Sequence, residues 1–482
     1  MANPHAETRS YSDSDTKAVS KDPSIESVKL EAADNLEYDA AFERKTMRFV
    51  DWRILPLLAL LYSFALIDRI NLGAAYTAGM AKDLGLKHGA RYSIATCLYF
   101  VPYILLQLPG NLVLRKFGVR NWLTFIVVGW GAVQLAMGFV PTWGYLTLTR
   151  ILLGALEASN ANLAFRYKRH EVQKRLAIFY LISVTMGGLS PLLAYALSLL
   201  DGKQGIRGWA WIFIIEGAIT IALGIISWLF IPDFPDQNKF LTPEQTALIL
   251  KRIEEDRGDS IPDTITRQKV FKHLSDWTLW AYGIMFMCST LPAYAQAYFI
   301  SIILQGLGWS KTNALLLSAP PYLPSVVTAL FFAWISDRTK HRGSFIVIQG
   351  LICIVGLSLT AFAASGNVRY FGIFLLNAGN SGTIPGILAY SSNNVVSHSK
   401  RSVQSALTVS LGGVGGIIAS TVFRAKDSPH YLPGLGVTLG AQGLLILLVG
   451  ITNIHFRRLN KLSRENKLKQ PLEGQPGFLY TL

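Results

Sequence analysis

Four ionisable residues stand where the sequence is otherwise apolar. Asp68 and Arg69 follow an uncharged run that begins at Ile54, and Arg150 and Glu157 lie seven residues apart in another apolar stretch. A charge at bilayer depth is costly and turns to a partner or a water-filled cavity, so each is a functional candidate. Adjacent helical residues point about 100° apart, so Asp68 and Arg69 cannot both face lipid. They pair with each other or with charges on another helix. The spacing of Arg150 and Glu157 puts both on one helical face, roughly two turns apart. Such a set suits anion and proton chemistry. A guanidinium fork matches a carboxylate bidentately, and protonating a carboxylate breaks a low-dielectric ion pair like a switch. The competing reading is a buried charge cluster that only locks two helices together. Glu216, seven residues after Trp209, is expected to contact a loop.

The second half of the chain is nearly free of charge in its apolar stretches. Its polar content there is amide and hydroxyl: Gln296, Gln349, Asn377, Asn380, Asn393, Asn394 and Gln404. Such groups orient a ligand or bridge helices by hydrogen bonds. Tyr294, Tyr298 and Tyr390 wall a cavity or pack between helices. Asn393 and Tyr294 join Arg69 and Arg150 as candidate substrate-binding residues, and Asp68 and Glu157 are the candidate proton carriers. Gly412, Gly413, Gly415 and Gly416 permit either bending or close packing. Cys97, Cys288 and Cys353 all fall in apolar runs and read as small buried hydrophobes. Histidines are scattered, with no nucleophile–base pair or metal-ligand spacing. Neither an enzyme, a metal nor a cofactor is expected.

The elements that position these residues follow from composition. The 482 residues are 51% hydrophobic and only 16% charged, with a formal charge of +15, against roughly 25% charged in ordinary globular chains. Apolar blocks of membrane-spanning length recur along the middle. A nucleic-acid binder, a secreted disulfide scaffold and a soluble enzyme are excluded, and the lipid bilayer is the expected surrounding. The blocks predict an all-α membrane protein of twelve transmembrane helices: Ile54–Ala81, Ser93–Leu114, Trp122–Val140, Tyr145–Phe165, Leu176–Leu200, Trp209–Ile231, Trp277–Leu304, Ala314–Ile335, Ser344–Ala364, Tyr370–Val396, Ser402–Phe423 and Leu432–Phe456. Residues 52–231 and 277–456 form two six-helix halves. Residues 1–51 read as a disordered tail, 232–276 as a linker and 457–482 as a second tail. In the linker, Thr242-Pro243-Glu244-Gln245 is a capping sequence that opens an amphipathic helix from Leu241 to Arg257.

The short loops and the C-terminal tail on one side together carry roughly twice as many Lys and Arg as the loops opposite, which makes both termini cytoplasmic. Two basic turns occupy equivalent places after the second helix of each half. One is Gly110 to Arg120, with Arg115 and Lys116; the other is Ala333 to Arg342, with Asp337, Arg338 and Arg342. Their match points to duplicated halves, and these are the candidate gating loops.

Specific segments resemble the major facilitator superfamily, and within it the fungal allantoate permease-like branch of the anion:cation symporter family. They are Ile67-Asp68-Arg69-Ile70-Asn71-Leu72-Gly73, Gln107-Leu108-Pro109-Gly110-Asn111, Arg150 through Ala158, Gly208-Trp209-Ala210-Trp211-Ile212-Phe213, Ser392-Asn393-Asn394 with Lys400-Arg401-Ser402, and Phe423-Arg424 with Asp427 through Gly434. The likeness runs from about Asp51 to Arg458. It implies the major facilitator fold and proton-coupled movement of a small organic anion by alternating access. A monomer in the plasma membrane is expected. Family substrates include allantoate, nicotinate, pantothenate, biotin and sugar acids. By the same resemblance Arg69 binds the substrate carboxylate, Asp68 and Glu157 exchange protons, and Arg150 pairs with Glu157. Two departures stand out: Leu114 replaces the usual acid of the first basic turn, and the stretch after Glu157 (Ser159 to Phe165) is shorter than in that family. An exporter of an acidic secondary metabolite and a weakly transporting nutrient sensor are the alternatives.

Overall fold

The computed structural model describes residues 40–158, 169–231, 241–249, 266–424, 427, 430–468, 470–475 and 477–482. Every long element among them is a helix. Hydrocarbon offers no partner to a backbone amide, so a chain this apolar closes its hydrogen bonds within each segment. Twelve spans result, in two halves of six. The first half comprises α1 (Ala40–Ala75), α2 (Arg91–Phe117), α3 (Val119–Met137), α4 (Trp143–Glu157), α5 (Arg169–Ser198) and α6 (Gly208–Phe230). The second comprises α7 (Trp277–Gly306), α8 (Tyr322–Thr339), α9 (Arg342–Phe362), α10 (Gly366–Asn380, resuming as Thr383–Asn393), α11 (His398–Val422) and α12 (Leu432–Arg464). Among the described residues, six helices are long and apolar enough to cross a membrane by length and composition alone: Ala41–Asp83, Gly208–Phe230, Trp277–Gly306, Arg342–Phe362, Ser399–Val422 and Leu432–Arg464.

The halves repeat one packing scheme. α1 lies along α5 and α7 along α11; α2 meets α4 and α8 meets α10; α3 meets α6 and α9 meets α12. Across the interface α2 packs on α11, α1 on α7 and α5 on α8. The two basic turns sit at matching places, α2–α3 and α8–α9, each with a residue at positive φ: Gly118 (82°) and Lys340 (59°). Arg342 pairs with Asp337 (2.8 Å), and Arg338 lies over Trp334. The side chains of Arg115 and Lys116 lie outside the described residues.

Several boundaries differ from the sequence expectation. α1 starts at Ala40 because its first turns have somewhere to pack: Met47, Val50 and Ile54 form a buried cluster with Ile249 of the linker. That linker helix covers residues 243–249, and its cap is formed as the sequence implies. Gln245 N–H donates to Thr242 Oγ1 (3.3 Å), and Thr242 N–H donates to Gln245 Oε1 (3.1 Å). Residues 250–257 of the expected helix lie outside the described residues. The eighth span does not run unbroken from Ala314; a short helix, Lys311–Leu316, is separated from α8 by a turn through Pro320 and Pro321. Proline removes an amide donor and restricts the residue before it. α1 ends in a wide turn, Tyr76–Met80, with Gly79 at φ 130°, then Ala81–Asp83.

The C-terminal stretch is not a free tail. Residues 472–475 and 477–482 fold back on the ends of α9, α10, α11 and α12. Asn460 brackets Tyr480 with two 2.8 Å hydrogen bonds, and Asn394 brackets Thr481 (3.1 and 2.7 Å). Lys400 bridges Glu473 (2.6 Å) and Asp276 (2.7 Å), and Tyr480 stacks on Phe456.

Candidate functional site

Arg69, in the C-terminal part of α1, is placed by its neighbours on both sides of the half–half interface. Its Nη2 pairs with Glu157 Oε1 of α4, and its Nη1 donates to the Tyr294 hydroxyl of α7 (3.0 Å). Tyr99 of α2 donates to the other Glu157 oxygen. The guanidinium lies 5.4 Å from the Tyr99 ring centre, 5.2 Å from Tyr103 and 6.0 Å from Tyr294, within cation–π range. Tyr294 stacks on Tyr298. The result is an arginine in an aromatic cage with one carboxylate in its fork.

Close helix contact makes this geometry possible. A Cβ on Gly154 of α4 would land on the Tyr99 carbonyl of α2, so glycine alone brings Glu157 within reach of Tyr99 and Arg69.

The charges divide by face. Asp68 points away from Arg69, into the first half. Its Oδ2 accepts hydrogen bonds from Trp130 Nε1 of α3 (2.7 Å) and Thr220 Oγ1 of α6 (3.1 Å). All five ionisable residues are deeply buried: Asp68 is 1% exposed, Arg69 5%, Arg150 1%, Glu157 2% and Glu216 0%.

Two expectations need correction. Arg150 does not pair with Glu157; it donates instead to the Arg69 carbonyl (3.5 Å), and its Nε and Nη2 have no partner among the described residues. Seven residues of helix span about 10 Å, too far for a direct contact within α4. Glu216 does not contact a loop: Asn71 of α1 donates to its Oε2, inside the bundle. In the sequence, the signal for Asn71 is its spacing of three from Asp68.

Of the remaining candidates, Tyr294 is at the site. Asn393 is not; it ends α10 beside Asn394, where the C-terminal segment docks. The α11 glycines serve packing. A Cβ on Gly413 would meet Ile104 at 2.6 Å, and one on Gly415 would meet Thr290 Oγ1 at 2.6 Å. The three cysteines are free thiols, with Cys288 and Cys353 buried. Residues 159–168, including the shortened stretch, lie outside the described residues.

At the end of the bundle remote from the termini the halves touch. Thr77 bonds Ser301 (2.9 Å), Ser301 donates to the Gly73 carbonyl (3.2 Å), and Tyr92 donates to the Tyr298 carbonyl (3.1 Å). A cavity of about 1030 Å³ opens there, with Lys87 and Arg424 in its lining. Neither Arg69 nor Glu157 lines it.

A family description, Major Facilitator Superfamily, matches residues 58–420. An uncharacterized transporter (C1039.04) of Schizosaccharomyces pombe is 33% identical over 434 residues, covering 87% of this chain and 84% of that protein. The major facilitator-type transporter hxnP of Emericella nidulans is 31% identical, covering 92% and 91%. The MFS-type transporter cnsO of Penicillium expansum is 31% identical, covering 90% and 86%. Among solved structures, a bacterial homolog of the human lysosomal transporter Spinster, inward-facing and occupied, superposes with a TM-score of 0.63 at 15% identity. It covers 84% of this chain and 96% of its own, a likeness of fold. Twelve apolar spans in two repeated halves, a matching family description over most of the chain and relatives named as transporters lead to one conclusion: this membrane-embedded transporter belongs to the major facilitator superfamily.

Proposed function

We propose that the chain is a proton-coupled symporter of a small carboxylate, in the allantoate permease-like branch of the anion:cation symporter family, working by alternating access. The observation that carries this reading is Arg69, a buried guanidinium at the interface of the halves whose fork is occupied by Glu157. A substrate carboxylate and Glu157 compete for the same donors. Protonating Glu157 removes its charge and frees the fork, and the arriving carboxylate restores neutrality at Arg69. Proton and anion are then taken up together, because either alone leaves an uncompensated buried charge. Tyr294 lets the second half sense the first, since its hydroxyl touches the same guanidinium. Arg150 contributes positive charge to the site, and Asp68 is a second proton carrier. On this reading the protein is a monomer in the plasma membrane with both termini cytoplasmic. The contacts at the remote end then make the structure closed toward the outside.

Uptake of labelled nicotinate, allantoate, pantothenate and galactonate into proteoliposomes, with and without an inward proton gradient, tests the proposal. Gradient-driven accumulation of one acid is expected, with at least a ~10-fold loss in Glu157→Gln and Asp68→Asn. Undiminished pH-dependent uptake in both variants rules the coupling scheme out. Gradient-stimulated efflux without uptake assigns an exporter instead.

A further inference from the structure

Apart from the Arg69–Glu157 pair, the first half encloses a second group of ionisable side chains. Glu216 of α6 accepts a hydrogen bond from Asn71 on Oε2, and Asn71 Oδ1 in turn accepts from Ser190 Oγ of α5 (2.5 Å). Ser190 thereby orients the Asn71 amide with its N–H toward Glu216. One turn along α6, Thr220 reaches Asp68 (3.1 Å). Asp68 and Asn71 thus share one face of α1, opposite Glu216 and Thr220 on one face of α6. Three buried atom sets are left without partners among the described residues: Glu216 Oε1, Asp68 Oδ1, and Arg150 Nε with Nη2. Asp68 and Arg150 both lie in electrostatic range of Glu216, and Arg150 is itself faced by Tyr298, Tyr92 and Tyr99. α3 contributes the Trp130 donor to Asp68.

The charge count decides what this group must hold. Glu157 neutralises Arg69, which leaves two carboxyls and one guanidinium. Fully ionised, the group carries one uncompensated negative charge in a site sealed from solvent, where desolvation penalises it heavily. A single proton makes it neutral. Asp68 receives two hydrogen bonds on its carboxylate, whereas Glu216 receives one, and donors favour the ionised form.

We infer that Glu216 is a proton-carrying residue of this transporter, holding on Oε1 the proton that neutralises the Asp68–Arg150–Glu216 group. Asn71 is its positioning residue, because its donated N–H keeps Oε2 an acceptor and leaves Oε1 for the proton. Asp68 and Glu216 then titrate as one group, and a shift of α1 against α6 moves the proton between them. The O–H bond of one carboxyl breaks as that of the other forms, and the negative charge passes the opposite way. The use of this proton rests on the symport reading; its residence on Glu216 does not.

Infrared difference spectra of the full chain in liposomes, stepped between about pH 4 and about pH 9 without substrate, test this directly. The wild type is expected to show a protonated-carboxyl C=O band that is lost in Glu216→Gln and returns, shifted, in Glu216→Asp. A Glu216→Gln spectrum identical to wild type, in protein of unchanged melting temperature, overturns the inference. If that variant does not fold, Asn71→Ala serves: loss of its N–H shifts the Glu216 band, and an unmoved band is equally fatal. Failure of every carboxylate in the uptake panel leaves this band in place, so the two failures are told apart.

Discussion

At the residue scale, the fork of Arg69 is the most consequential contact, and its energetics differ from those of a surface ion pair. Removing one member of a buried pair strands the other without water, at a cost of about 3–5 kcal/mol. Glu157→Ala is therefore expected to lower thermal stability in detergent by about that amount. Tyr294→Phe, which deletes one hydrogen bond to the same guanidinium, is expected to cost about 1–3 kcal/mol. Thermal unfolding of the purified variants reads both, and equal losses would contradict the pairing. The identity of these residues was legible in the sequence, since charges in apolar runs stand out at once. Their pairing was not. Arg69 had Asp68 beside it, and the resemblance pointed Arg150 at Glu157, yet the structure joins Arg69 to Glu157. The partner of Glu216 was not legible either, because its distance from Trp209 says nothing about which neighbour its helical face meets.

At the scale of elements, backbone proximity sets the site, and glycines mark where it occurs. Gly154 lets α4 rest on the Tyr99 carbonyl of α2. Gly154→Ala must push the helices apart, at a cost of about 1–3 kcal/mol, and should uncouple Tyr99 from Glu157. Melting temperature and uptake should fall together. The contact between halves gives a second test. Thr77 and Ser301 touch at 2.9 Å between the end of α1 and α7. A Thr77→Cys, Ser301→Cys pair is expected to form a disulfide that holds this end shut. Transport should then fall to background and recover on reduction. Full activity of the oxidised pair would show that this end never opens. Helix existence followed from hydropathy, whereas interruptions at Pro320-Pro321 and between Asn380 and Thr383 depended on local chemistry.

At the scale of the whole molecule, the C-terminal segment ties together helix ends of the second half through Lys400, Asp276 and Glu473. Burial alone would raise the Asp276 carboxyl, but its hydrogen bonds from Lys400 and Thr278 outweigh that and hold it below the ordinary carboxylate range. A carboxyl held down in the folded state contributes stability above its unfolded value, and that contribution disappears as acid protonates it. The clamp is expected to be intact at neutral pH and to loosen below about pH 4. Proteolysis of the segment in intact liposomes should therefore accelerate in acid, and Asp276→Asn should be cut faster already at neutral pH. By itself the sequence determined the membrane setting, the all-α class, the duplicated halves and the buried charges, because hydropathy and charge act through local windows. Only the tertiary structure decided which guanidinium meets which carboxylate, that Glu216 faces Asn71, and that the last residues fold back on Asn394 and Asn460. Those contacts depend on the azimuth and register of helices far apart in the chain, which no local periodicity encodes.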